Sequence, residues 1–244
     1  MPSPQLTYIP IALSPNDKYT PLAYTSMISI LTSKNYYTYI DFYLILPKNF
    51  SSENYILFDS LFYQFVYFNI TYIQMDDRYK KAFVHRYITN QAYYRFSLGS
   101  LLPKLNKIIN KNKVYINSGI LLLNLKEMRK KEIEKKVLKI LNSGFKHPTL
   151  HDQAVIDTFF YKYVGLFPPE YNSYLLTKKE TFTLIRTTNI YDRDILLFSL
   201  RYPTIRHYKG ASKELNDDWF FYARKSKFFQ KISMNYSYIY NFSL

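Results

Sequence analysis

The chain has no cysteine. That excludes a disulfide scaffold, a thiolate metal site and a cysteine nucleophile. No apolar run reaches the length of a membrane span; Gly119–Leu123 is the longest candidate and is the size of a core strand. The N-terminus lacks a basic region followed by an apolar stretch, so no secretory signal is read there, and a cytoplasmic protein is expected. Internal repeats and low-complexity linkers are also missing. One further absence is chemical. Between Asp77 and Glu127 there is neither aspartate nor glutamate, so that stretch can offer a cation no carboxylate.

What is present is apolar and aromatic. Of the 244 residues 48% are hydrophobic, with 27 tyrosines and 19 phenylalanines, which is ample for a large core and argues against disorder. Tyrosine hydroxyls want a partner or water, so many of these rings should lie half-buried. The formal charge is +15, which raises nucleic acid as a partner. The basic residues are nevertheless scattered among Asn, Tyr and Ile. Lys126–Lys139 (KEMRKKEIEKKVLK) is the exception, and it carries its own glutamates, as the solvated face of a helix does. A polyanionic small ligand such as a nucleoside diphosphate needs only a few of these charges.

Along the chain, Ile9–Ser14 is a short apolar run, and Thr20 is placed to cap a helix that has Pro21 at its first position. Ile40–Leu46 reads as a buried strand ended by Pro47. Ser51 or Ser52 can cap a helix through about Phe65, and Phe68–Met75 alternates like a strand. Strand–helix–strand–helix–strand predicts a right-handed parallel sheet of the nucleotide-binding sort. Helices are expected over Ala92–Leu102, Lys126–Asn142 (closed by Gly144) and Asp152–Tyr161, with a core strand over Val114–Leu125. The tail from Asn216 reads as a helix packed over the sheet.

Four stretches resemble glycosyltransferase family 8. They are Ile11–Tyr19 (IALSPNDKY), Ala92–Leu98 (AYYRFSL), Ile116–Arg129 (INSGILLLNLKEMR) with a downstream His151-Asp152-Gln153, and Ile205–Lys213 (IRHYKGASK). The third is the most specific. The resemblance implies an α/β fold of the GT-A type: one nucleotide-sugar-binding domain over 1–244 with a mainly parallel, Rossmann-like sheet, including a helical aromatic and basic tail at 214–244. It also implies roles. Tyr19 stacks on uracil and Asp17 touches the base, with Asn16 standing where a second acidic residue is usual. Arg95 contacts donor sugar or phosphate, and a planar guanidinium suits that task. Asn117 and Ser118 line the sugar pocket, Asp152 binds the sugar, and Gln153 lies under the anomeric carbon. Gly210 lets the backbone approach the diphosphate, Lys213 neutralises it, and His207 ligates a divalent cation, manganese or magnesium.

The same resemblance sharpens the acid-free stretch. Family members hold the metal with an Asp-x-Asp between the second and third stretches, and here Leu101–Ile109 runs through Asn110-Lys111-Asn112 straight into the third. The sheet is therefore expected to be shortened by an internal deletion, and the metal to bind weakly. Asp192-Arg193-Asp194 lies just before the fourth stretch and reads as surface structure. The implied activity is retaining transfer of a hexose from a UDP-sugar to a hydroxyl on a glycan, lipid-glycan or protein. The alternative is an inactive pseudoenzyme that binds nucleotide or glycan, with peripheral membrane contact an open partner class. A basic nucleic-acid binder comes third, on charge alone.

Overall fold

The computed structural model describes residues 6–84, 89–106, 120–145, 151–165, 168–174, 193–207, 221–222 and 225. The described residues fall into two compact units. Residues 6–82, 89–95, 221–222 and 225 form the first, and the remainder, from 83–84 and 96 to 207, form the second.

The first unit is a three-stranded parallel sheet. β1 (Thr7–Leu13), β2 (Thr38–Pro47) and β3 (Phe68–Met75) lie in the order β1-β2-β3, registered Ile9 to Ile40 and Ile40 to Phe68. Parallel neighbours require a crossover. α1 (Thr20–Ser33) supplies the first, and α2 (Ser52–Asp59), extended by a 3-10 turn over Ser60–Tyr63, supplies the second. Both helices cover one sheet face. Ile40, Phe42, Leu44 and Leu46, alternating along β2, pack with Met27, Ile28 and Leu31 of α1 and Leu57 and Phe58 of α2. Tyr24 is fully buried, and its hydroxyl is satisfied by Ser60 Oγ at 3.0 Å. Tyr222 packs against this cluster, with its hydroxyl 3.3 Å from Ser33 Oγ.

The three strands follow the alternation in the sequence, but the helix starts differ from expectation. Thr20 lies inside α1, with Tyr19 at the cap position, and Thr20 Oγ1 donates back to the Asn16 carbonyl at 3.0 Å. Pro21 does occupy the first turn. Ser51 holds the cap position of α2 without a side-chain cap bond; Asp17, brought from the end of β1, accepts its N–H instead.

In the second unit the expected helix over Lys126–Asn142 is two helices, α4 (Leu125–Lys130) and α5 (Ile133–Asn142). Periodicity explains the break. The buried positions Leu125, Ile133, Val137 and Leu141 are spaced in multiples of four, and each step of four overshoots a helical turn by about 40°. One straight helix would rotate Leu125 away from Leu141, so the interruption resets the phase. Glu132 absorbs it at φ 48°. At the far end, Gly144 takes φ 84° as the residue that closes the helix.

The tract expected as a helix over Ala92–Leu102 is wound as a 3-10 helix over Asn90–Ser97, then as α3 (Leu98–Leu101). α3 lies tightly on α4: a Cβ at Gly99 would meet Met128 Cβ at 3.3 Å. Arg129 donates to the carbonyls of Gly99 and Leu102 (both 3.1 Å) and Leu105 (2.9 Å) and to Asn106 Oδ1 (2.8 Å), so its fork fills the acceptors that α3 leaves open. Glu134 receives the hydroxyls of Ser97 and Ser100.

The expected strand Val114–Leu125 is corrected where it is described. Ile120–Asn124 joins no strand, and Leu125 begins α4, because Asn124 Oδ1 accepts the Glu127 N–H at 3.0 Å and caps the helix. Residues 114–119 and most of the tail from Asn216 lie outside the described residues. α6 (His151–Val155) continues through a π turn to Phe160 and a 3-10 turn to Tyr163. β4 (Ser173–Tyr174) pairs in parallel with β5 (Arg206–His207), and α7 (Arg193–Arg201) precedes β5. Among the described residues no helix is long and apolar enough to cross a membrane.

Glu132 sits where an L side chain is strained and glycine is not. Its exposed pair with Lys135 contributes little in return. Glu132→Gly is expected to stabilise the chain by about 0.5–1 kcal/mol, net of glycine's own entropic cost, read as a rise in the thermal midpoint; a fall would mean that the αL turn is unstrained.

Candidate functional site

In open parallel sheets ligands bind beyond the carboxyl ends of the strands. In the first unit three loops gather there: Ser14–Tyr19 after β1, Lys48–Ser51 after β2 and Asp76–Tyr79 after β3.

The loop after β1 is a single 3-10 turn, Asp17–Tyr19. Asn16 caps it, its Oδ1 accepting the Tyr19 N–H at 3.1 Å. Tyr19 is half-buried, and Lys18 Nζ lies 5.8 Å from its ring centroid, a cation–π arrangement. Asp17 points to α2: its Oδ1 accepts from Ser51 N at 3.0 Å and from Asn54 Nδ2 at 2.7 Å. A carboxylate at a helix N-terminus is favourable there. One turn thus divides its labour, with Asp17 fixing the loop to the next helix and Tyr19 presenting a ring.

The loop after β3 was not singled out by sequence, though two acids directly after a strand were a visible signal. Arg78 grips Asp76 through Nε to Oδ1 and Nη2 to Oδ2, each 2.7 Å, and its backbone N–H adds a third bond at 3.0 Å. These hydrogen bonds, the side-chain ones foremost, lower the Asp76 pKa to about 2. Asp77 faces Lys48 of the β2 loop at 3.5 Å, an exposed and weak pair.

The 3-10 helix Asn90–Ser97 is tied to this end. Asn16 Nδ2 donates to Gln91 Oε1 at 3.5 Å, and Asn90 Nδ2 to the Tyr79 carbonyl at 2.9 Å. Arg95 is half-buried on the same helix, and its Nε donates to Ala92 O at 2.9 Å. The tie through Gln91 therefore links the segment that carries Arg95 to the turn that carries Tyr19. Burial raises the Tyr94 pKa, against the hydrogen bond from Gln91, which lowers it.

The second unit holds the other predicted residues that are described. His151 and Asp152 are buried at the start of α6, and Gln153 is half-buried beside them. His151 Nδ1 is 3.3 Å from Phe83 O, with the two rings stacked at 5.7 Å. An acid in the first turn of a helix meets the positive end of its dipole. His207 pairs through its backbone with Tyr174, and its side chain lies outside the description. Asn117, Ser118, Gly210 and Lys213 lie outside the described residues as well. Asp194 is exposed in the first turn of α7, in keeping with a surface position. Among the described residues no three of His, Asp and Glu gather where they could hold a metal ion. By themselves, these residues do not fit a divalent cation.

Residues 109–214 match the model of the family described as Glycosyl transferase family 8. A search of curated proteins gives no match. Among solved structures the chain is similar to the bifunctional glycosyltransferase WbbM in its apo form, at TM-score 0.72 and 16% identity, covering 93% of this chain and 51% of that one. The chain therefore spans about half the length of WbbM. It is also similar to an active-site mutant of LgtC, at TM-score 0.62 and 15% identity, covering 93% of this chain and 95% of that one. A third similar structure is the galactosyltransferase LgtC in complex with donor and acceptor sugar analogs, at TM-score 0.58 and 16% identity, covering 94% and 95%. Those likenesses establish the α/β fold of these glycosyltransferases. The family match itself covers residues 109–214, and the structural likenesses extend the fold, not the family, over the rest of the chain.

Proposed function

We propose that the chain binds a nucleoside-diphosphate sugar, of which UDP-hexose is the form the family resemblance implies, and that it is a retaining hexosyltransferase whose turnover is impaired. The observation that carries the binding half is the turn after β1: a half-buried tyrosine ring held at the carboxyl end of a parallel sheet, with a lysine beside it and Arg95 on a helix tied to the same turn. A ring there offers a stacking face for a base, and the cations suit a diphosphate. In this reading Asp17 works on the turn through α2.

The chemistry assigned to the sugar is that of the resemblance. Departure of the diphosphate builds oxocarbenium character at the anomeric carbon, with Gln153, Asn117, Ser118 and Asp152 arranged around the sugar. Gly210 and Lys213 serve the diphosphate alongside Arg95. A divalent ion in such an enzyme would neutralise the leaving group. His207 is the one metal-ligand candidate that sequence supplies near that role.

The impairment rests on the stretch between Asp77 and Glu127, which holds no carboxylate, and it also favours the second reading, a nucleotide- or glycan-binding pseudoenzyme. Losing one preorganised electrostatic donor typically costs about 100- to 1000-fold in rate, and a metal clamp at least as much. Cations alone would have to take over the leaving group's charge.

Three outcomes follow. Tyr19→Ala should weaken UDP binding by about 1–3 kcal/mol, measured by calorimetry; unchanged affinity sinks the assignment of that ring. Asp17→Ala should cost about 1 kcal/mol of stability through α2, and a variant with an unshifted melting midpoint but lost UDP affinity would return Asp17 to the base. Transfer from UDP-sugars by the purified chain should be slow or undetectable with manganese supplied. Robust manganese-stimulated turnover would refute the impairment.

A further inference from the structure

Asp152 and Gln153 lie in the first turn of α6, and one buried side chain ties that turn to a distant part of the chain. His151, 3% exposed, opens the helix. Its Nδ1 is 3.3 Å from the Phe83 carbonyl oxygen, and its ring lies over the Phe83 ring, 5.7 Å between centroids and 20° between planes. A backbone carbonyl can only accept, so this bond requires the proton on Nδ1 and selects one tautomer of the neutral ring. Phe83 stands 68 residues earlier in the chain. The turn is thus held by a segment that α6 does not itself contain.

α6 needs such a hold. It winds as an α-helix only from His151 to Val155, before the π turn over Ile156–Phe160 changes the hydrogen-bonding pattern. So short a helix has little stability of its own and takes its direction from what it packs on. Ala154 and Val155 are buried and anchor its far half. The near half is anchored through His151 on Phe83. Asp152 and Gln153 lie between the two anchors, and a rotation of the turn would turn both away together. We infer that His151 is a positioning residue for the donor sugar: its stack and its Nδ1–H bond set the rotation of the turn, and with it the direction in which Asp152 and Gln153 are presented. The inference rests on the reading of Asp152 and Gln153 as sugar-binding residues, and it asks no ligand contact of His151 itself.

Calorimetry on the full chain with UDP, UDP-glucose and UDP-galactose tests it, read as the ratio of nucleotide-sugar affinity to UDP affinity. Asp152→Asn reports whether the turn reads the sugar, and it should lower that ratio. His151→Phe keeps a stacking ring and removes the donor. It should lower the ratio about three- to tenfold and leave UDP affinity unchanged. His151→Asn, whose Nδ2 takes the place of Nδ1, should recover most of the loss. Phe83→Ala removes the stack from the other side and should also lower the ratio, which covers the case in which His151→Phe does not fold. A ratio that moves with Asp152→Asn but with neither folded variant of the His151–Phe83 contact overturns the inference alone. So does an equal fall in UDP and nucleotide-sugar affinity, the sign of a purely structural role. Nitrogen NMR of the native chain that finds the His151 proton on Nε2 alone overturns it without any variant. A ratio that Asp152→Asn leaves unchanged, or binding of neither nucleotide sugar, overturns it together with the reading on which it rests.

Discussion

Parallel pairing is the constraint from which the first unit follows. Two neighbouring strands that run the same way must be joined by a chain that returns the length of the sheet, and here α1 and α2 do so. The helices in turn need a buried face. The alternation of Ile40, Phe42, Leu44 and Leu46 provides it on one side of β2. Because all three strands end at the same edge, the loops after them meet there. The gathering of Asn16, Lys48 and Asp76 at one end is thus a consequence of topology, before any of their chemistry is considered.

The second unit relies on close approach and on one cation. With no Cβ at position 99, α3 can lie against Met128 and Arg129. The guanidinium of Arg129 then meets the carbonyls at the end of α3 and in the turn beyond it. A lysine could not span these acceptors, since it presents a point charge rather than a planar fork. The same guanidinium also ties Asn106 to α4.

The strands and the ends of the sheet were legible in the sequence because period-two alternation and bounding Pro, Asn and Ser residues are local signals. Helix starts were less so. Thr20 and Ser51 carry capping side chains, yet Asn16 and Asp17 do the capping. For Asp17 the reason is non-local: its partner is 34 residues along the chain, and no window of sequence shows that. The break at Glu132 was concealed by strong helix formers on either side, although the four-residue spacing of Leu125, Ile133, Val137 and Leu141 contained it. At the candidate site, Tyr19 and Arg95 were pointed to by resemblance alone. Gln91 was missed because an amide has no motif; its meaning comes from the side chain it faces.

That same contrast between Asp17 and Asn16 sets what each side chain presents at the end of the sheet. A carboxylate accepts in any orientation, whereas an amide must choose which end to present, and its neighbours make the choice. Asn16 sits where its oxygen is claimed by the backbone of the turn it caps. The Tyr19 N–H is shared between that side-chain oxygen and the Asn16 backbone carbonyl, at 3.1 and 3.0 Å, so a flip of the amide would set its NH2 against a donor and leave the N–H to the carbonyl alone. The contact that holds the turn carrying the Tyr19 ring also decides which amide atom faces Gln91, so a substitution at Asn16 acts on both.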